Sequence, residues 1–218
     1  MRYYPIYLDL KDRQALVVGG GEIAEGKTRQ LVEAGARVRV VSPTLTSHLT
    51  ELVERGVIEH DPGSFQMGSL KGIVLVIGAT NDQAVNEEVA KLAAECGVLC
   101  NIVDQPALCS FITPALVTRG DLQISVSTGG GSPSLTQRVK REIADLIGEE
   151  YGALLEIAAE MRTAAKQRIS DFDRRRALLH AFVESEALDL IRSGRDQDAR
   201  KLAHALLQQN SENEGNGR

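Results

Sequence analysis

With 218 residues the chain exceeds an average single domain, and a hydrophobic content of 43% is enough for a buried core. Thirty acidic against 25 basic residues leave a formal net charge of -5, so the whole-molecule field does not draw in nucleic acid or anionic membrane, and an anionic ligand has to be held by a local patch. The opening MRYYPIYLDL lacks the apolar core of a secretory leader, and no apolar run approaches the roughly 20 residues that span a bilayer, which sets the expectation of a cytoplasmic protein with neither nucleic-acid nor membrane partners.

From residue 14 to 103 apolar strands alternate with helices of about a dozen residues. QALVVG is a strand, EIAEGKTRQLVEAG has helical spacing through Ile23, Ala24, Leu31 and Val32, and RVRVV is a second strand ending at Val41. TSHLTELVERG is a helix leading to VIEH; GIVLVIGAT is a strand without a polar face; DQAVNEEVAKLAAECG is an amphipathic helix followed by the strand VLCNIV. This alternation predicts an α/β domain, a Rossmann-like doubly wound parallel sheet covered on both faces.

Between the first strand and its helix, VVGGGEIAEGK places Gly19, Gly21 and Ala24 in the G-x-G-x-x-A spacing. Gly19 permits a tight turn, Gly21 lets the backbone approach a pyrophosphate, and Ala24 allows close helix packing, while free N–H groups at Glu22 and Ile23 face the anion. That position on the first βαβ unit gives an otherwise weak motif its meaning as a dinucleotide loop. The second strand ends in Val41, Ser42, Pro43 and Thr44, where a carboxylate normally reads the adenine ribose. The hydroxyls of Ser42 and Thr44, or backbone groups around Pro43, are the substitutes, and the choice between NAD and NADP stays open. GATND puts Thr80 and Asn81 at the next strand end, where open α/β sheets bind ligands; Asn81 or Asp82 equally suits the N-cap of the following helix.

NIVDQP closes another strand with Asn101 and Asp104. Oxidation by a nicotinamide removes a hydride and a proton from the donor, so Asp104 is the candidate general base, with a turn aspartate as its structural alternative. Cys96, Cys100 and Cys109 have no C-x-x-C spacing and Gly97 interrupts the first two, which predicts reduced thiols. His48, His60, His180 and His204 are scattered without a ligand pair, so no fixed metal site is expected.

The pattern changes near Ser110. ALVTRGDLQISVST reads as a hairpin around Arg119, Gly120 and Asp121; in STGGGSP, Ser132 is an N-cap and Pro133 a first helical residue. The helix that follows carries Leu135, Val139, Ile143 and Leu146 on one face. From Tyr151 the chain is helical, with stripes at Leu154, Ile157, Ala158 and Met161, at Leu178, Leu179, Phe182 and Val183, and, beyond Gly194, at Leu202, Leu206 and Leu207. The expected organisation is a dinucleotide-binding domain over 1–113, a hairpin and helix over 114–148, a helical domain over 149–208, and a polar, disordered tail over 209–218.

Taken together, YYPIYLDLKDRQALVVGGGEIAEGK, EAGARVRVVSP, ATNDQAVN, NIVDQPALCSFITPALV and LQISVSTGGGSP resemble the precorrin-2 dehydrogenase and sirohydrochlorin ferrochelatase family, including the N-terminal half of fused siroheme synthases. The resemblance covers nearly the whole chain. It implies NAD as oxidant, a tetrapyrrole substrate, a homodimer in which 114–148 is a dimerisation segment, participation of Asp104 in dehydrogenation, and Fe2+ as a substrate metal where chelation also occurs. A substrate with eight carboxylates calls for small residues and cations, and the candidates are Ser127, Gly129, Gly130, Gly131 and Arg138, with the solvated helix face as the plainer reading of each cation. The chain ends before the methyltransferase module of fused relatives, so its substrate is expected from another protein. The competing class is an NAD(H)-sensing regulatory module, which usually carries the ribose carboxylate that this sequence lacks at the second strand end.

Overall fold

Consecutive valines and a leucine make β1 (Gln14–Val18) a strand that needs cover on both faces, and it lies at the centre of a parallel five-stranded sheet. The computed structural model describes residues 2–215, and the chain divides into two units, Met1–Thr113 and Pro114–Arg218. In the first unit β2 (Arg37–Val41) and β3 (Glu59–Asp61) lie on one side of β1, and β4 (Ile73–Gly78) and β5 (Leu99–Ile102) on the other. The strand order β3-β2-β1-β4-β5 reverses direction between β1 and β4, which opens a crevice at their carboxyl ends.

Alternation along β1 sorts the core. Ala15 and Val17 join Val38, Val40, Leu75 and Ile77 beneath α1 (Glu22–Glu33) and α2 (Ser47–Glu54), which contribute Ala24, Leu31 and Leu49. Leu16 and Val18 point the other way, to Val41, Val76 and Ile102 and to Val89 and Leu92 of α3 (Gln83–Cys96). Each fully buried Val, Leu or Ile contributes about 1.5–3 kcal/mol, so the two layers hold the sheet rigidly under its edge loops. Thr46 caps α2 by accepting from the Leu49 N–H; Asp82, rather than Asn81, caps α3 by accepting from Ala84 and Val85. Gly97 ends α3 in the left-handed conformation, at φ 68°.

In the second unit β6 (Ala115–Arg119) and β7 (Leu122–Val126) form the antiparallel hairpin, with Arg119 opposite Leu122 and Gly120 at φ 56° in the turn. Ser132 caps α4 (Pro133–Leu146) through the Leu135 N–H, and none of its residues is buried. Arg119 donates to the carbonyls of Ala144 and Ile147, satisfying two acceptors left open at the end of α4. The helices α5 (Glu150–Arg168), α6 (Phe172–Val183), α7 (Ala187–Arg192) and α8 (Asp196–Gly215) enclose Leu154, Ile157, Met161, Leu178, Phe182 and Leu207.

One expectation fails here. Val183 is exposed at the end of α6 rather than part of its buried stripe, because the core side of that helix is taken by Leu178 and Phe182. In the polar stretch from 209, α8 runs on to Gly215. Asn210 and Ser211 donate to Leu206 and Leu207 one turn back, and the Asn210 carbonyl accepts from Arg174 of α6. Residues 216–218 lie outside the described residues.

Candidate functional site

Hydrogen bonds continue across the carboxyl edge of the sheet beyond the strands themselves. Ser42 N–H donates to Asp61, Gly19 to Val41, Ala79 to Val18, and Val103 to Gly78, at 2.8 to 3.1 Å. The loops after all five strands are therefore laid out in one row. At spacings of about 4.8 Å per strand, the end of β5 stands roughly 10 Å from the glycine loop after β1.

The three glycines of that loop meet different surroundings. A side chain on Gly19, whose φ is 123°, would overlap the Ala79 carbonyl, and one on Gly20 would overlap the Thr44 carbonyl. Gly21 has φ -86° and nothing within 4 Å of where a Cβ would stand. The first two glycines thus close the backbone against its neighbours, and the third leaves open space. Gly21 is the N-cap of α1 and no side chain caps that helix, so the first-turn N–H groups, including those of Glu22 and Ile23, keep unused donors. Both side chains are exposed, and Ile23 is a large apolar group left 54% accessible. Open backbone, free donors and an apolar shelf fit a dinucleotide.

The loop after β2 is fixed from within. Ser42 is buried and its hydroxyl donates to the Thr44 carbonyl at 2.7 Å, while Pro43 and Thr44 are exposed. Thr46 N–H donates to Gly20 at 3.0 Å, and the Thr46 hydroxyl donates to the Glu25 carboxylate at 2.6 Å. Neither Glu25 nor this link was legible as a site feature; its only trace is an acidic residue just after the motif alanine. After β4, Thr80 accepts from the Asp82 N–H through its hydroxyl, and its carbonyl accepts from the buried Asn86 amide at 2.9 Å; Asn81 is exposed. The Asn86 Oδ1 has no partner among the described residues and lies 2.9 Å from where a Cβ on Gly78 would stand. Asn86 was missed as well, although its place on α3 one turn beyond the cap was readable.

Asp104 sits just past β5 with φ 59°, one of two non-glycine residues with positive φ among the described residues. That conformation is unusual outside glycine, and aspartate and asparagine are the residues that tolerate it best. Its side chain is exposed and makes no hydrogen bond or ion pair with any described residue. Asn101 is instead structural: buried, it donates to the Phe111 carbonyl at 3.0 Å. Cys109 anchors the same turn, its Sγ 3.1 Å from the Ile102 nitrogen. Burial, then the neighbouring Cys109, pushes the Cys100 thiol up to about 11, so it stays protonated near neutrality. Lys27 of α1 reaches the Thr113 hydroxyl at 3.3 Å, a cation that the sequence reading did not single out.

The second cluster lies between β7 and α4. Ser127 accepts from the Gly129 N–H, Thr128 bridges Ser132 and Thr136, and Gly129 and Gly130 both have positive φ. Gly130 and Gly131 are exposed. Arg138 pairs with Glu142 one turn on at 2.8 Å, both exposed, which is a solvated helix face. No group of three His, Cys, Asp or Glu side chains able to hold a metal occurs among the described residues, and no described helix is long and apolar enough to cross a membrane.

Residues 6–115 match the family model described as putative NAD(P)-binding. The chain belongs to that family. Its remaining segments match the sirohaem biosynthesis protein central model at 119–146 and the sirohaem synthase dimerisation region at 150–207, so the dimerisation description falls on the helices rather than on 114–148. Similar curated proteins are named siroheme synthase: that of Thioalkalivibrio sulfidiphilus is 40% identical over 95% of this chain and 42% of its own length, and that of Pseudomonas aeruginosa 39% identical over 95% and 44%. The chain thus spans less than half the length of these relatives. Among solved structures, one titled SirC, precorrin-2 dehydrogenase, matches with a TM-score of 0.78 and 27% identity, covering 93% of this chain and all of that one. The resemblance drawn from the motifs is thereby established, together with the Rossmann-like sheet, the hairpin and the helical region.

Proposed function

We propose that this chain oxidises precorrin-2 to sirohydrochlorin with NAD in a cytoplasmic siroheme route. The observation that carries the reading is an unpartnered carboxylate, Asp104, held in a left-handed turn at the end of β5, two strands from an open glycine loop, in a chain that matches a precorrin-2 dehydrogenase over 93% of its length. Three unpaired thiols support the reducing compartment.

The bound nicotinamide supplies a hydride acceptor. The chain does the rest. Gly21, Glu22 and Ile23 would hold the pyrophosphate by backbone N–H groups, with Gly19, whose own N–H donates to Val41, closing the turn beneath it; Ser42, Pro43 and Thr44 would form the wall on the adenosine side, and Thr80 and Asn81 the wall beside β4. Asp104 takes the proton that leaves the macrocycle as the hydride departs, so two electrons and two hydrogens are lost in all. Ser127, Gly129, Gly130, Gly131 and Arg138 remain the proposed contacts to substrate carboxylates, with Arg138 the weakest because Glu142 already pairs with it. A homodimer built on 150–207 accompanies this reading, and α4, which buries none of its residues and leaves Leu146 73% exposed, suits a second protein surface.

The test is anaerobic incubation of the chain with precorrin-2 and NAD, following tetrapyrrole absorbance before and after Fe2+ is added. Conversion to sirohydrochlorin that depends on NAD is the expected result. Faster metalation than in a protein-free control would add iron insertion with Fe2+ as substrate. NAD binding without conversion would instead favour the sensing module, for which the free Asp104 carboxylate has no use.

A further inference from the structure

We infer that Glu25 is the carboxylate that makes this site prefer NAD over NADP, doing from α1 what an acidic residue at the end of β2 usually does. The inference rests on the dinucleotide reading of the glycine loop and deepens it. The end of β2 offers only Val41, Ser42, Pro43 and Thr44, so the usual reader of the ribose hydroxyls is missing from its usual place. The structure returns a negative charge to the same loop by another route. Glu25 lies one turn into α1 and its Oε2 accepts from the Thr46 hydroxyl at 2.6 Å. Thr46 in turn donates its N–H to Gly20 and caps α2, so its position is fixed at both ends. One carboxylate oxygen is thus pinned to the loop that walls the adenosine side, and the other is left without a partner among the described residues.

The surrounding charges point the same way. Asp61, at the end of β3, hydrogen-bonds Ser42 through its backbone and is a second acid at this corner, its Oδ1 accepting from Gly63. The cations nearby are committed elsewhere: Arg39 donates to the Ser69 carbonyl at 2.5 Å and Arg37 pairs with Asp12. His60 is bonded through Nε2 to the Ser42 carbonyl, and His48 faces Glu51 on α2. A ribose 2′-hydroxyl can donate to the free Glu25 oxygen. A 2′-phosphate brings negative charge to a corner that already holds two carboxylates, and the Arg39 nitrogen left without a partner, Nε, is buried away from solvent.

The experiment is calorimetric titration of the full chain with NAD and with NADP, for the natural protein, Glu25→Gln and Glu25→Lys. Glutamine keeps an acceptor for Thr46 and removes only the charge. The natural protein should bind NAD at least about tenfold more tightly than NADP; Glu25→Gln should narrow that ratio several-fold, chiefly by tightening NADP, and Glu25→Lys should narrow or invert it. A merely structural Glu25 would shift both affinities together and leave the ratio as it was, which overturns the inference while the dinucleotide reading stands. Preference for NADP in the natural protein overturns it too. Failure of both nucleotides to bind the natural protein removes the dinucleotide reading and this inference with it.

Discussion

The two units solve opposite problems with their backbones. In the first, side chains pack the interior and the backbone is the working surface: Gly19 and Gly20 are pressed against neighbouring carbonyls, and the donors offered to a ligand are main-chain N–H groups at the start of α1. In the second, beyond the β6–β7 hairpin and the glycine turn that follows it, the backbone is consumed by helices, and the outward surface is a set of charged pairs such as Arg192 with Glu150 and Arg200 with both Glu156 and Glu160. Function in the first unit is therefore sensitive to an added methyl group, whereas the second should respond mainly to lost apolar volume.

The sharpest break in that contrast is Asp104, a side chain rather than a backbone group at the working edge. Asp104→Asn keeps a residue suited to positive φ while removing the base, so precorrin-2 oxidation should fall by about 10²- to 10⁴-fold with NAD affinity and melting temperature nearly unchanged. Asp104→Ala mixes in backbone strain and is the poorer probe. Full turnover of the asparagine variant would remove the residue from the chemistry. Next in size is Phe182→Ala, which empties the fully buried centre of the helical unit and should cost about 3–5 kcal/mol in denaturant titration while leaving nucleotide affinity alone.

Two glycines then test the first unit internally. Gly20→Ala meets the Thr44 carbonyl and should destabilise by about 1–3 kcal/mol. Gly21→Asp meets nothing, so it should fold normally and lose NAD affinity by placing a charged side chain in the pyrophosphate's path. If thermal melts found Gly21→Asp the less stable of the two, the assignment of open and closed sides would be reversed.

The smallest expected effect lies in the helical unit's charges. A hydrogen bond from backbone at its own position and another from Arg192 hold the Glu150 carboxyl below the usual glutamate range. Its stabilising contribution is complete above the unfolded-state value and fades as pH falls through the lower folded value. Glu150→Gln should therefore lower stability slightly at neutral pH, leave it unchanged at pH below the folded value and so make the acid limb of the stability curve shallower, an effect that added salt weakens.

Much of the first unit was legible because its signals are local. The apolar run in QALVVG, the spacing of Gly19, Gly21 and Ala24, and the helix stop at Gly97 each involve a few neighbouring residues. Asp104 could be placed at a strand end, but its left-handed backbone could not be read, because nothing adjacent requires it. Glu25 and Thr46 are 21 positions apart and meet only once α1 and the loop after β2 have packed. The contact that Arg174 makes with the Asn210 carbonyl of α8, 36 residues downstream, is likewise invisible to local patterning.

The carbonyl of Thr44 lying against Gly20 has a kinetic meaning as well. Under the proposed function, a glycine turn already wedged between two strand ends arrives shaped, and an incoming nucleotide does not have to freeze it. Capture should proceed as a single bimolecular event, with a rate that climbs in proportion to nucleotide concentration and shows no plateau from a slow rearrangement.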